Sequence, residues 1–163
     1  YETQQILRQV GVHTVVANVL RLPFDAASCV DARRHKVFSK SYQLLQLFCL
    51  GTGKPNSRSQ EALFAEEGFL RLISRHLALD IGAERCLEAV LQSHYRLNAQ
   101  IPEEILDRYL ALMQNPKTDP RTYVAFLGSV VVVKEVPIIR NQILVMNALA
   151  EQQSDWLQNL TML

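Results

Sequence analysis

Nearly every stretch of this chain carries apolar residues three and four positions apart, and almost none alternates apolar with polar, so the pattern predicts helices throughout. A short first helix is predicted from Glu2 to Val10, carrying Ile6, Leu7 and Val10. Gly11 stops it, since glycine enters the left-handed region at little cost. A second helix follows with Val12, Val15, Val16, Val19 and Leu20 in one stripe. It ends at Pro23, which pushes Leu22 out of helical dihedrals. Phe24 to Val30 reads as a loop, and Asp31 as the N-cap of a long helix reaching about Leu50. Its apolar face comprises Val37, Phe38, Leu44, Leu45, Leu47, Phe48 and, at one edge, Cys49.

Gly51 to Ser57 (GTGKPNS) is the clearest loop in the chain. Two short helices are predicted after it, Ser59 to Glu66 and Gly68 to Leu77, and then a single one from Asp80 to Leu97 with Cys86, Leu87, Val90, Leu91 and Tyr95 on one side. Pro102 suits a first helical turn, and Glu103 and Glu104 suit its positive end. That helix runs through Ile105, Leu106, Tyr109, Leu110 and Leu112 to Met113. Asn115 to Asp119 reads as a turn, and Pro120 restarts a helix through Tyr123, Phe126, Leu127 and Val130. Val130 to Val133 favours a strand by residue type, but a lone strand would have no partner, so helix is expected. Pro137 opens the last helix, with Ile138, Ile139, Ile143, Leu144, Met146, Asn147 and Leu149. The sum is an all-α fold of eight or nine helices in antiparallel pairs, read as a single domain over residues 1–163. Short helices paired across glycine are how armadillo and HEAT units look, so a helical solenoid with a degenerate repeat is expected.

Composition narrows the class. The chain is 48% hydrophobic and 20% charged, as a globular fold should be, and its net charge of +1 supplies no field toward nucleic acid or an acidic membrane. Cys29, Cys49 and Cys86 are odd in number and lack C-x-x-C spacing, which favours a reducing compartment. The opening residues do not read as a signal peptide, and no apolar run approaches the roughly 20 residues of a membrane-spanning helix. A start at Tyr1, without an initiator methionine, reads as an excerpt of a longer protein.

Chemical motifs are sparse. Gly51-Thr52-Gly53-Lys54 resembles a phosphate-binding loop, but Phe48 stands where its first glycine belongs and Pro55 where its hydroxyl belongs. The segment also follows a helix rather than a strand. His13, His35, His76 and His94 are isolated and lack metal-ligand spacing. Gly128-Ser129 lies inside an apolar helix and is no nucleophile elbow. Glu66-Glu67 and Glu103-Glu104 are explained by helix starts, and Tyr42, Tyr95, Tyr109 and Tyr123 by packing. No catalytic residue, metal ligand or cofactor is expected. The run Arg33, Arg34, His35, Lys36 reads as a solvated helix face or a contact patch.

Ile6 to Asp25 (ILRQVGVHTVVANVLRLPFD) resembles the start of the RIH domain, shared by the inositol trisphosphate and ryanodine receptors, which are intracellular calcium-release channels. Leu7-Arg8, Gly11-Val12-His13, Val15-Val16, Leu20 and Leu22-Pro23-Phe24 carry the likeness. Tyr42 to Gly51 (YQLLQLFCLG), Ser59 to Phe64, Ser93 to Leu106 and Thr122 to Val131 are similar to later helices of that domain. The resemblance implies a cytosolic, non-catalytic segment of a tetrameric channel in the endoplasmic reticulum membrane or a related store. Its partners would be the channel's other domains and subunits, with no nucleic acid and no membrane contact within this segment. Of two such domains in an inositol trisphosphate receptor, the earlier completes the ligand site with basic residues. Arg8 matches one of them, whereas Gln5 stands for a lysine and Tyr1 for an arginine, and in Asn56-Ser57-Arg58 only Arg58 is basic. The resemblance therefore implies the second, non-ligand-binding domain, relaying ligand binding to the gate. Two other readings stand beside it. One is an armadillo-like adaptor binding a peptide or protein, against which the single Trp156 argues; the other is a phosphoinositide-binding module using Arg8, Arg33, Arg34, Lys36 and Arg58.

Overall fold

A computed structural model describes residues 2–23, 32–51, 53–77, 79–113 and 120–160, the side chains of 120–122 and 152–160 excepted. In chain order the helices are α1 (Glu2–Gln9), α2 (Val12–Leu20), α3 (Ala32–Leu50), α4 (Ser57–Phe64), α5 (Phe69–His76), α6 (Ala83–Leu91), α7 (Tyr95–Ala99), α8 (Glu103–Met113), α9 (Pro120–Val131) and α10 (Ile139–Leu160). A small hairpin of β1 (Val132–Val133) and β2 (Val136–Pro137) separates the last two. The all-α expectation holds. The expected loop at Phe24–Val30, the Asp31 cap and the Asn115–Asp119 turn lie outside the described residues. The chain forms two compact units, Tyr1–Leu97 and Asn98–Leu163.

In the first unit α3 packs on α6 and on α2, while α4 packs on α6 and α1. Phe38, Tyr42, Leu45, Phe48 and Cys49 form the buried stripe of α3, at helical spacings of three and four. Val37 and Leu47, expected inside, are 51% and 53% exposed, and Leu44 is exposed as well. The reason lies in three adjacent apolar pairs, 37/38, 44/45 and 47/48, which give two faces the same period. Only the face that also holds Tyr42 and Cys49 is covered. Val15 on α2 is likewise exposed, and the small Ala17 takes the buried place.

Backbone N–H groups and side-chain amides together close the covered ends of α3 and α6. At the end of α3 the Gly51 N–H donates to Leu47 O (2.7 Å), Gln4 Nε2 to Phe48 O (3.1 Å), the Asn56 N–H to Cys49 O (2.8 Å) and the Gly53 N–H to Leu50 O (3.0 Å). All four carbonyls that a helix end leaves without partners are therefore satisfied. Asn56 also caps α4 by accepting from the Ser59 N–H (3.2 Å), and its Nδ2 donates to Gln4 Oε1 (3.0 Å). Gly51 has φ +55, and a Cβ there would lie 2.6 Å from the Gln4 amide nitrogen, so the position needs glycine twice over. On α4, fully buried Gln60 repeats the device: its Nε2 donates to Ala89 O (2.8 Å) and Gln92 O (3.0 Å) at the end of α6.

The single helix expected over Asp80–Leu97 is two. α6 stops at Leu91, Ser93 takes a left-handed φ of 57, and α7 begins at Tyr95. His94 Nδ1 accepts from the Leu97 N–H (3.4 Å) in the manner of an N-cap, and Tyr95, expected inside, is exposed.

In the second unit α8, α9 and α10 pack on one another. Tyr109 stacks on Phe126 (ring centres 3.7 Å apart) and meets Tyr123 edge-on (5.5 Å). The valine run leaves the helix after Val131, because the strand does find a partner four residues on: Val132 pairs with Pro137 and Val133 with Val136. Lys134 and Glu135 make the turn at φ 49 and 66, the signs a tight hairpin of right-handed twist requires. Pro137 thus lies in β2 rather than opening α10. Asn141, fully buried, donates to Val130 O and Asn98 O (both 2.9 Å), closing two helix ends at once. Among the described side chains of α10, Asn141 and Val145 are buried, while Ile139, Ile143, Met146 and Leu149, expected inside, are exposed.

Tyr42 and His76 meet in the core of the first unit, with the hydroxyl 2.8 Å from Nδ1. Burial holds the His76 imidazole below its usual pKa of 6.5, the Arg75 guanidinium acts the same way, and the neutral ring shares a hydrogen bond with the Tyr42 hydroxyl. An unfolded His76 takes up a proton near pH 6.5 and the folded one resists, so its stabilising effect is present above that pH and drains as pH falls. Half-buried His13 is lowered chiefly by desolvation and acts in the same direction; Glu88, raised by burial, acts oppositely. Urea unfolding is expected to show lower stability at pH 5 than at pH 7.5, with a smaller difference in His76→Gln. An equal difference in the two proteins would remove His76 from this account.

Candidate functional site

Cations collect on the outward side of α3. Arg33, Lys36, Val37, Lys40, Ser41 and Leu44 line an open hollow of about 550 Å³. Arg33, Lys36 and Lys40 are spaced i, i+3, i+7 on one face. Residues 32–50 contain no acidic residue, and among the described residues no carboxylate pairs with these three cations. Lys40 Nζ donates to Gln43 Oε1 (2.9 Å) on the same helix. A helix start carries partial positive charge, so Arg33, Arg34 and Lys36 sit where their own helix disfavours them. Lys40 was missed in the sequence, where it stands outside the basic run; the signal was its helical spacing from Arg33 and Lys36.

The other basic candidates lie elsewhere. Arg8, in the last turn of α1, is near enough to His13 for its charge to help lower that histidine's pKa. His13 stacks on Phe48 (5.2 Å between ring centres), close to the end of α3. From Phe48 back to Arg33 the helix runs about 22 Å, at 1.5 Å per residue. Arg58 is exposed in the first turn of α4, whose cap binds Gln4. Arg34, at the start of α3, donates to Pro23 O (3.4 Å) beyond the end of α2. Arg33 and Lys36 therefore share one hollow, and Arg8 belongs to the opposite end of α3.

Glu66, placed by its sequence near a helix start, ties two elements together. It accepts from Thr14 Oγ1 (2.8 Å) and pairs with Arg21 (3.4 Å), which also donates to Glu67 O. Glu61 binds Arg96 (2.8 Å) and approaches His94 (3.3 Å). Among the described residues no group of three or more histidine, cysteine or carboxylate side chains is placed to hold a metal, and no helix is long and apolar enough to cross a membrane. Cys49 and Cys86 are buried free thiols; burial pushes Cys49 up to about 12 and raises Cys86 as well, so neither supplies a thiolate at neutral pH.

The sequence pattern of the RIH domain matches residues 1–161. This chain belongs to the RIH domain family. It is also 26% identical over 125 residues to the inositol 1,4,5-trisphosphate receptor itr-1 of Caenorhabditis elegans. That match covers 72% of this chain and 4% of the nematode protein.

Of the stretch that resembles the family's opening, Ile6 to Asp25, residues 6–23 form the end of α1, the left-handed elbow at Gly11 (φ 69), all of α2 and the turn after it; Phe24 and Asp25 lie outside the described residues. A triply phosphorylated inositol needs several cations converging on one point, and Arg8 stands about four helical turns of α3 from Arg33 and Lys36. Calorimetric titration of the purified chain with inositol trisphosphate at low salt is expected to give no saturable heat. Stoichiometric binding abolished by Arg8→Gln would overturn that expectation.

Proposed function

We propose that this RIH domain is a non-catalytic cytosolic part of an inositol trisphosphate receptor-like calcium-release channel, in a tetrameric parent anchored elsewhere in the endoplasmic reticulum membrane. Its role there is mechanical: packed helices carry the effect of ligand binding toward the gate, through contacts with the channel's other domains and subunits. The observation that carries this reading is the family match across residues 1–161, with the similarity to a receptor of that type beside it. The closed helix ends support it physically. An element that transmits displacement must not bend within itself. Buried amides that each bond two carbonyls, Gln60 at the end of α6 and Asn141 at the ends of α7 and α9, resist such bending.

The test is made in the full-length channel. Asn141→Leu should leave inositol trisphosphate binding to the receptor unchanged and lower calcium release from microsomes at saturating ligand. Unchanged release, or a loss of ligand binding in step with release, would contradict the relay.

A further inference from the structure

The outward face of α3 departs from the rules that shape the rest of the chain. Arg33 and Lys36 lie in its first turns, where a helix prefers acids, and Val37 and Leu47 lie about half exposed beside them. Surface positions that break local preference without a compensating contact are where function is expected.

We infer that this face is a docking seat for an amphipathic helix of a protein partner, with acidic residues flanking an apolar stripe. The charge decides the sign: Arg33, Lys36 and Lys40 have no carboxylate partner among the described residues, so an acidic occupant gains pairs that the fold leaves unmade. The apolar positions decide the rest. Val37, Leu44 and Leu47, at i, i+7 and i+10, run beside the cations with helical period, the arrangement that matches anchors on a facing helix. Arg33 to Leu47 spans about 21 Å, so the partner needs about four helical turns. A phosphorylated headgroup fits less well, because the three cations are strung along about 10 Å of helix instead of converging. The inference does not depend on the channel reading.

The test uses the purified chain and a fluorescent synthetic peptide of about 15 residues, the length of four helical turns. Its helix presents leucine in one stripe with glutamates on both flanks; a second peptide carries lysine for every glutamate. Saturable binding of the acidic peptide alone is expected. It should weaken at least about tenfold in Arg33→Glu/Lys36→Glu/Lys40→Glu and, separately, in Val37→Ser/Leu44→Ser, both with exposed positions and an unchanged circular dichroism melt. Equal binding of the two peptides, binding insensitive to either variant, or no saturable binding would overturn the inference. Sedimentation of the chain with phosphatidylserine vesicles, lost in the charge variant while the acidic peptide fails to bind, would overturn it in favour of a membrane surface.

Discussion

A chain folded as many short helices has a problem that long helices dilute. Each helix leaves four carbonyls without partners at its end, and packing drives those ends out of water. An unpaired buried carbonyl costs about 1–3 kcal/mol, the same order as one well-buried aliphatic side chain contributes. Gln4, Gln60 and Asn141 answer this constraint in this RIH domain. Each lies buried, and each directs its amide N–H groups at carbonyls of a helix other than its own; Asn141 also reaches back to α9. The helix arrangement within each unit follows, because an amide donor that reaches two carbonyls fixes the distance and the rotation of the helix it caps.

Much of the helix layout was legible because punctuation and period agree. Gly11, Gly68 and Pro102 stand at helix boundaries in the structure as in the pattern, and α8 buries Ile105, Leu106, Tyr109, Leu110 and Leu112 as its spacing requires. The break at Ser93 was not legible, since neither glycine nor proline marks it. The hairpin after Val131 was missed because a ladder of two residues per strand leaves no alternation to detect. Which face of α3 turns inward was undecidable from period alone, with apolar residues doubled at 37/38, 44/45 and 47/48. The capping amides were invisible for a different reason: glutamine and asparagine in a helix read as surface, and only the neighbouring helix end shows why they are buried.

The candidate site was legible by half. The basic run marks Arg33, Arg34 and Lys36; the structure joins Lys40 to Arg33 and Lys36, turns Arg34 to Pro23 O, and leaves Arg8 at the other end of α3. That division separates two kinds of chemistry. Convergent cations suit a compact anion; cations interleaved with exposed valine and leucine along a helix suit an extended partner. In the interior of the first unit, burial holds the Cys49 and Cys86 thiols protonated, and the His76 ring is hydrogen-bonded to Tyr42.

Buried amides at helix ends hold this fold together. Equilibrium urea unfolding of Gln60→Met, set against the exposed Gln5→Met, tests it most directly. Methionine keeps the length of the side chain and removes the donor, stranding Ala89 O and Gln92 O. A loss of about 2 kcal/mol in the first variant and less than about 0.5 kcal/mol in the second is the expected result. Equal stability of the two variants would contradict the account.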